Sequence, residues 1–376
     1  MTVTGIIFSN LHDSSIPELT AMRTMASIPC GCRYRFIDFA LSNMVNADIT
    51  DVNIITHHNY RSLMDHVGAG KDWDLSRRTG GLTILPPYVL SADKNAKMYY
   101  DTRLEALKSI ADTVMRLTSD YVVLSDCDNI CNINLNEAIE THIAYNADIT
   151  ACVKELDITP ETSEQYNVIA YGDDGEVTDI INHPKNFAGR AAVSIDVWVV
   201  NTKYLQSIVK EAITSGYASL TKDLFCRKIG IDNLRIYKYD GFYAPIESIR
   251  DYFEVSMSML DSENRNALFG IKSRPIFTKV RNSPPTIHSE GSKVVNSLIA
   301  DGCTIEGTVE NSILFRGVKI EKGAVVKNCI LFQDTQISAS AFVNCVIADK
   351  NVVVKSGVML SGHPTMPFCI GKGKTI

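Results

Sequence analysis

Asp126 and Asp128 stand one residue apart at the end of the apolar run Tyr121–Ser125. Carboxylates at the carboxyl end of a buried strand are the groups that hold Mg²⁺ beside a phosphate, so these two are the chain's candidate pair for that ion. Other residues with reactive potential point to less. Cys30-x-Cys32 and Cys127-x3-Cys131 offer thiols, but the two pairs lack the spacing of a zinc finger or ribbon, and no zinc site is expected. His57-His58 follows the run Val52–Thr56 and reads as a structural or solvated pair. Trp73 and Tyr99-Tyr100 read as packing groups rather than platforms for a base.

The elements that would position these residues form two patterns. In residues 1–260, short apolar runs alternate with segments of helical periodicity. Strands are expected at Thr4–Ser9, Val52–Thr56, Tyr121–Ser125 and Ile149–Val153. Helices are expected at Phe36–Ala47, Tyr60–Val67, Leu104–Leu117 and Ile133–Asn146, the last with Asn134 placed to cap it. Such alternation predicts an α/β domain with a mostly parallel sheet and a ligand cleft at the carboxyl ends of its strands. Residues 261–292 are polar, contain Pro275, Pro284 and Pro285, and read as a connector.

A repeat occupies residues 293–376. Asn296-Ser297-Leu298-Ile299 returns as Asn311-Ser312-Ile313-Leu314, Asn328-Cys329-Ile330-Leu331 and Asn344-Cys345-Val346-Ile347, at spacings of 15, 17 and 16. Six residues beyond each unit stand Ile305, Ile320, Ile337 and Val353, and six further on Val326 and Val343. Hexads grouped into regular coils predict a parallel β-helix, in which one inward aliphatic per short strand stacks on its neighbour in the next coil. Ser297, Ser312, Cys329 and Cys345 would form a packing ladder. His288 and His363 fall outside the repeats, which argues against a β-helix acyltransferase with a catalytic histidine in its coils.

With 37 basic against 43 acidic residues the net charge is −6, so no basic excess points to nucleic acid or an anionic membrane, and any anion site must be built locally. The N-terminus shows no secretory pattern and no apolar run is long enough to span a bilayer. The ten cysteines read as reduced thiols, and a cytoplasmic protein is expected.

The segment RTMASIPCGCRYRFIDFALSNMVN, Arg23 to Asn46, resembles the block R-A-K-P-A-V-x-F-G-G-K-[YF]-R-[IL]-I-D-F-x-L-S-N-x-x-N of ADP-glucose pyrophosphorylases (glucose-1-phosphate adenylyltransferases). Lys222-Asp223-Leu224 and Pro184 resemble two further elements of that family. The resemblance implies a nucleotide-diphospho-sugar transferase-like, Rossmann-like α/β domain followed by a left-handed β-helix. It also implies in-line attack of a sugar phosphate on the α-phosphorus of ATP. That reaction needs backbone amides around the phosphates, cations on developing charge and carboxylates on a divalent metal.

The positions that carry this chemistry in the family are altered here. The glycine-rich loop G-G-x-G-T-R-L falls on residues 10–16, with Asn10, Leu11 and Asp13 for its glycines and Ser15 for its arginine. Asp13 would put an anion where phosphate should lie. Met25 and Ala26 replace the lysine and proline of R-A-K-P. Leu85-Pro86-Pro87-Tyr88 lacks two glutamines, and Asp101-Thr102-Arg103 lacks a glycine. Asn182 and His183 replace the E-K of the sugar-phosphate element, and Pro245 replaces a metal carboxylate; only Asp128 persists. Removing one preorganised donor lowers a rate by about 10²–10³, so joint loss predicts negligible chemistry. No catalytic residue, no metal site and no firm cofactor are therefore expected, with Mg²⁺ at most weakly held by Asp126 and Asp128.

A chain with this scaffold and without this site resembles the D-type regulatory subunit of the bacterial enzyme. That implies a hetero-oligomer, a tetramer in the family, with a catalytic paralogue in glycogen biosynthesis. The alternative is an active sugar-phosphate nucleotidyltransferase with a rewired phosphate loop. Arg23, Arg33 and Arg35 fall in the family's basic region and are the candidates for an anionic sugar-phosphate effector.

Overall fold

The computed structural model describes residues 1–86 and 100–376; Pro87, Tyr88 and Tyr99, considered above, lie outside the described residues. Val3–Phe8 is apolar on both faces because it lies inside a nine-stranded sheet, parallel to Asp51–Ile55 on one side and Tyr121–Asp126 on the other. Gly81–Leu85 extends the parallel part beyond Asp51–Ile55. Across the sheet, the long strand Gly189–Asn201 runs antiparallel to both Tyr121–Asp126 and Ile149–Ile158. Leu234–Lys238 lies parallel to Ile149–Ile158. Three parallel strands thus end on one edge, delivering the loop after Phe8, the His57-His58 pair and Asp126 to one place.

Helices cover both faces, and their ends follow local chemistry. Phe36–Val45 begins where Asp38 accepts a hydrogen bond from the Arg35 backbone N–H at 3.0 Å. The single helix expected at Leu104–Leu117 is two, Arg103–Ser109 and Ala111–Met115, broken at Ile110. Thr102 caps the first by accepting from the Glu105 N–H at 3.2 Å. Asn134 precedes the helix Leu135–Ala144 without capping it; its amide donates instead to Glu137 Oε1 at 2.7 Å.

The expected connector 261–292 is more structured than its polarity suggests. Ser262–Phe269 is a helix, started by Asp261 accepting from the Glu263 N–H at 2.7 Å. Ile287–His288 already belongs to the β-helix, pairing with Thr304–Ile305.

The C-terminal part is a parallel β-helix of three five-stranded sheets. Ile305, Ile320 and Ile337 stack inside it, as do Val309, Val326 and Val343. The fourth coil corrects the expected register. Ile330 pairs with Ile347 and Ile337 with Val354, so Val354 rather than Val353 points inward. The cause is at the corner: Asn296, Asn311 and Asn328 take left-handed backbone with φ of 42°, 45° and 50°, but in the fourth coil Cys345 takes it, at 51°. Asparagine recurs at the corners because it tolerates this conformation and its amide bridges coils, Asn296 Nδ2 donating to Asn311 Oδ1 at 2.8 Å. The Ser/Cys ladder is also hydrogen-bonded: Ser297 Oγ accepts from the Ser312 N–H, and Ser312 Oγ from the Cys329 N–H.

The β-helix packs on the α/β domain through a shared apolar cluster that includes Ile16, Met25, Ile28, Phe39, Phe315, Phe332 and Ile347. Among the described residues, no helix is long and apolar enough to cross a membrane.

Candidate functional site

The loop after Phe8 is tied down by its first residue. Asn10 is buried, and its Oδ1 accepts from Ser9 Oγ, Thr56 Oγ and the His57 N–H at 2.8–3.0 Å. Its Nδ2 donates to Asp13 Oδ2 at 2.9 Å and to the His58 carbonyl at 3.2 Å. Asp13 faces inward, contrary to the expectation that it would line the phosphate position. Its Oδ1 accepts the Met25 N–H at 2.6 Å and its Oδ2 lies 3.4 Å from His58 Nε2. Burial pushes this carboxyl up to about 6, against the pull of Asn10 and Met25. The loop N–H groups of Asp13 and Ser15 donate to the carbonyls of Asn10 and His12. Two of the amides that a phosphate loop would aim outward are thus engaged within the chain. The Met25 side chain fills the interdomain apolar cluster.

His12 reaches the other way, toward the acids. Its Nε2 stands 3.3 Å from Asp126 Oδ2 and 3.2 Å from Asp128 Oδ2. Arg103, at the start of its helix, grips Asp126 with Nε at 3.0 Å from both oxygens and Nη2 at 2.5 Å from Oδ2. The same Nη2 lies 2.8 Å from Asp196 Oδ2. Burial lowers the His12 imidazole, but Asp128 and Asp126 outweigh it and hold it at about 9. Burial opposes ionisation of Asp126 as well, yet Arg103 and His12 keep it below the ordinary range. Asp128 is raised to about 6 by burial, which prevails over His12. Burial together with the Asp128 charge pushes Glu247 up to about 8. A centre of four carboxyl groups is thus balanced by two cations of the same chain.

The Pro245 side chain offers no ligand atom; the residue pairs with Asn129 in a short antiparallel bridge, and the next acid, Glu247, faces Asp128 electrostatically. Asn182 and His183 line a cleft of about 270 Å³ together with Leu11, His12, Arg103 and Lys222. His183 Nδ1 is bonded to the Glu164 carbonyl at 2.8 Å and Asn182 Nδ2 donates to Cys226 Sγ at 3.6 Å. The sequence reading missed Arg103, Asp196 and Glu247 as members of this centre. Asp196 carried the one available signal, an acid inside the apolar strand VSIDVWVV, where it adopts a φ of 55° at a register shift.

The three effector candidates do not share one environment. Arg23 is buried and clamps the β-helix, with Nη2 2.7 and 2.8 Å from the two oxygens of Asp349. Arg33 is exposed. Arg35 is buried, donates to the Ser62 carbonyl at 2.7 Å and is lowered to about 10 by burial. Arg33 and Arg35 nevertheless line one interdomain crevice with Arg281, Arg316 and Lys350. Burial, and then the charges of Arg35 and Arg23, lower Lys350 to about 7.

All ten cysteines are free, and burial pushes the thiols of Cys30, Cys32, Cys127 and Cys131 up, so none is a ready thiolate. Trp73 is buried beside His66, and Tyr100 packs edge-on to His57 at 4.6 Å.

Residues 16–261 match the nucleotidyl transferase family model, and residues 285–364 match the GlmU-like C-terminal hexapeptide model. The chain is 33% identical to the glycogen biosynthesis protein GlgD of Bacillus subtilis (strain 168), over 98% of this chain and 95% of that protein. It is 34% identical to the glycogen biosynthesis protein GlgD of Geobacillus stearothermophilus, over 86% of this chain and 82% of that one. With the glucose-1-phosphate adenylyltransferase of Clostridium botulinum (strain Alaska E43 / Type E3) it shares 30% identity over 87% of this chain and 84% of that enzyme. An α/β cleft of this geometry joined to a left-handed hexapeptide β-helix, with these relatives along nearly its whole length, belongs to the ADP-glucose pyrophosphorylase family of nucleotidyltransferases, the family that includes the GlgD proteins.

Proposed function

We propose that this chain is a regulatory, catalytically impaired subunit of a glucose-1-phosphate adenylyltransferase in glycogen biosynthesis, modulating a catalytic paralogue that converts ATP and glucose 1-phosphate to ADP-glucose and pyrophosphate. The observation that carries the proposal is the loop at residues 10–16. The Asp13 and Ser15 amides are engaged on the Asn10 and His12 carbonyls, and the side chains of Asp13 and Asn10 are fixed on the Met25 N–H and on Thr56 and His57. A transferase stabilises its transition state with donors that are already aimed and unengaged. Here the Asp13 and Ser15 amides would have to leave their partners before they could hold a triphosphate.

The interdomain crevice supports the regulatory half of the proposal. Among the described residues, no carboxylate lies within ion-pair distance of Arg33, Arg35, Arg281 or Lys350, whereas Arg316 is matched by Asp301 at 3.1 Å. Its volume of about 40 Å³ suits one phosphate-sized group rather than a whole sugar phosphate. An effector would insert an anionic end there, touching both domains.

Co-expression with the catalytic paralogue tests the proposal. The two should co-purify as a hetero-oligomer, and the kinetics of the paralogue should change. This chain alone should bind ATP weakly or not at all and show no turnover. Independent turnover of ATP and glucose 1-phosphate, lost on Asp128→Asn, would establish an active transferase with a rewired loop instead. Failure of the two chains to associate would end the regulatory reading.

A further inference from the structure

Membership of a metal-dependent transferase family implies a divalent cation among the carboxylates, and the residues present do not fit one. Mg²⁺ binds oxygens at about 2.0–2.1 Å and demands an octahedral shell. Both oxygens of Asp126 are already held by Arg103, at 2.5–3.0 Å, and Asp126 Oδ2 and Asp128 Oδ2 are each within 3.3 Å of His12 Nε2. The opposite wall supplies Pro245, whose side chain has no donor atom, and the next acid along, Glu247, is pushed by burial and Asp128 toward its neutral form. His12, Asp126 and Asp128 bring their ligand atoms within 4.8 Å of one another, but the Arg103 guanidinium already holds both Asp126 oxygens, so a cation would meet a fixed positive charge there.

We infer that Arg103 is a resident counter-cation, which occupies the position of a divalent ion, bridges Asp126 to Asp196, and makes the folded protein independent of metal while excluding one. Three features of the geometry carry this. The guanidinium contact is bidentate on Asp126, a geometry that a planar fork supplies and an ammonium does not. Its second contact, at 2.8 Å to Asp196, uses a residue held at φ 55° in mid-strand, a conformation that side chains other than asparagine and aspartate seldom take. The helix that carries Arg103 is pinned behind it, since Thr102 Oγ donates to the Ala218 carbonyl while its cap is formed to Glu105. The side chain is only 14% exposed, so a competing ion must expel a buried charge before it can be coordinated.

The inference shares with the proposed function the premise that this centre does not run the transfer, but its test reads cation binding rather than turnover, so the two can fail separately. Mn²⁺ serves as the probe, followed by its electron paramagnetic resonance signal and by calorimetry on the full chain. Wild type should show no saturable Mn²⁺ site, and neither Mn²⁺ nor EDTA should move its thermal midpoint. Arg103→Gln should gain one site, tighter than any wild-type binding by about tenfold or more, and Arg103→Gln/Asp126→Asn should lose it. Arg103→Lys keeps the charge but cannot bridge both acids, and should bind Mn²⁺ between the two extremes. Saturable Mn²⁺ binding by wild type, or a wild-type midpoint that rises with Mn²⁺, overturns the inference whether or not any variant folds. A folded Arg103→Gln protein that gains no site overturns it as well.

Discussion

Arg23→Ala should break the joint between the two domains. Arg23 and Asp349 are 3% and 5% exposed, and the pair is bidentate on one nitrogen at 2.7 and 2.8 Å. The guanidinium also lies over the Phe332 ring at 5.8 Å, inside the apolar cluster that joins the domains. Removing one partner of a buried pair costs about 3–5 kcal/mol, because the other charge stays buried without compensation. At about 1.4 kcal/mol per decade, that is roughly two to three and a half powers of ten in the folding equilibrium. Asp349→Asn should cost a similar amount: Arg23 Nη1 already lacks a partner, and the uncompensated guanidinium would face Arg35 and Lys350. Arg23→Met/Asp349→Leu removes both charges and should lie close to wild type, since an apolar pair of similar volume is often neutral or stabilising. Two signals make the assay specific. Both tryptophans, Trp73 and Trp198, lie in the α/β domain, so fluorescence follows that domain while far-ultraviolet circular dichroism follows both. In urea the two transitions should coincide for wild type and for the double variant, and separate for each single variant. A cost below about 1 kcal/mol for Arg23→Ala, the range of exposed pairs, would refute the buried-clamp argument.

Three further outcomes follow from individual groups. His142 is fully buried and lowered to about 4 by burial, so the stability it contributes is complete above the ordinary histidine value of 6.5 and is lost as pH falls from there toward 4; His142→Gln should reduce the proton uptake on unfolding in that window by about one, read from the slope of stability against pH. Glu247 shows the opposite sign: burial and Asp128 raise it to about 8, so its contribution is complete below the ordinary value of 4.5 and lost as pH rises through 8, and Glu247→Gln should be more stable than wild type at alkaline pH in thermal unfolding. At the β-helix corner, Asn328→Ala should cost about 1–2 kcal/mol because Asn328 has φ 50°, whereas Asn328→Gly should cost less, losing only the amide bridge to Asn344 Oδ1 at 2.9 Å; urea titration of both variants separates backbone strain from the bridge.

The α/β order was legible because its strands are short apolar runs and its helices keep a helical period; the repeat was legible because each coil restates one Asn-Ser/Cys-aliphatic unit. The slip in the fourth coil was not, since Asn344 still stands in the motif while Cys345 takes the left-handed corner, and no residue type announces that exchange. The helix Ser262–Phe269 was hidden by polarity: only Leu268 of its residues is buried, so the apolar stripe that marks a helix is nearly absent. At the site, the departures from the family's motif could be read from residues 10–16 and 245, but the groups that gather around Asp126 could not. Arg103 looks like any residue in the first turn of a helix, and its partners Asp126 and Asp196 are brought to it only by the antiparallel pairing of Tyr121–Asp126 with Gly189–Asn201. Lys350 and Arg316 join Arg33 and Arg35 through the docking of the β-helix, a contact no local pattern encodes.

The two charged regions of the molecule differ in how their charge is balanced, and the difference bears on function. At the end of the parallel strands, acids and cations of the same chain neutralise one another at 2.5–3.3 Å, and an outside ion can enter only by displacing a partner. In the interdomain crevice, cations crowd one another enough to bring Lys350 down to about 7, with burial the larger cause and Arg35 and Arg23 next. Crowded like charge in a partly buried cleft raises the free energy of the folded state, and an anion supplied from outside lowers it. Anion binding should therefore be coupled to proton uptake by Lys350, tightening as pH falls through 7. The charges of the centre that resembles a reaction site are matched within the chain, whereas those of the crevice where the two domains meet are not, and on the proposed function an anion bound there would act on how the domains pack.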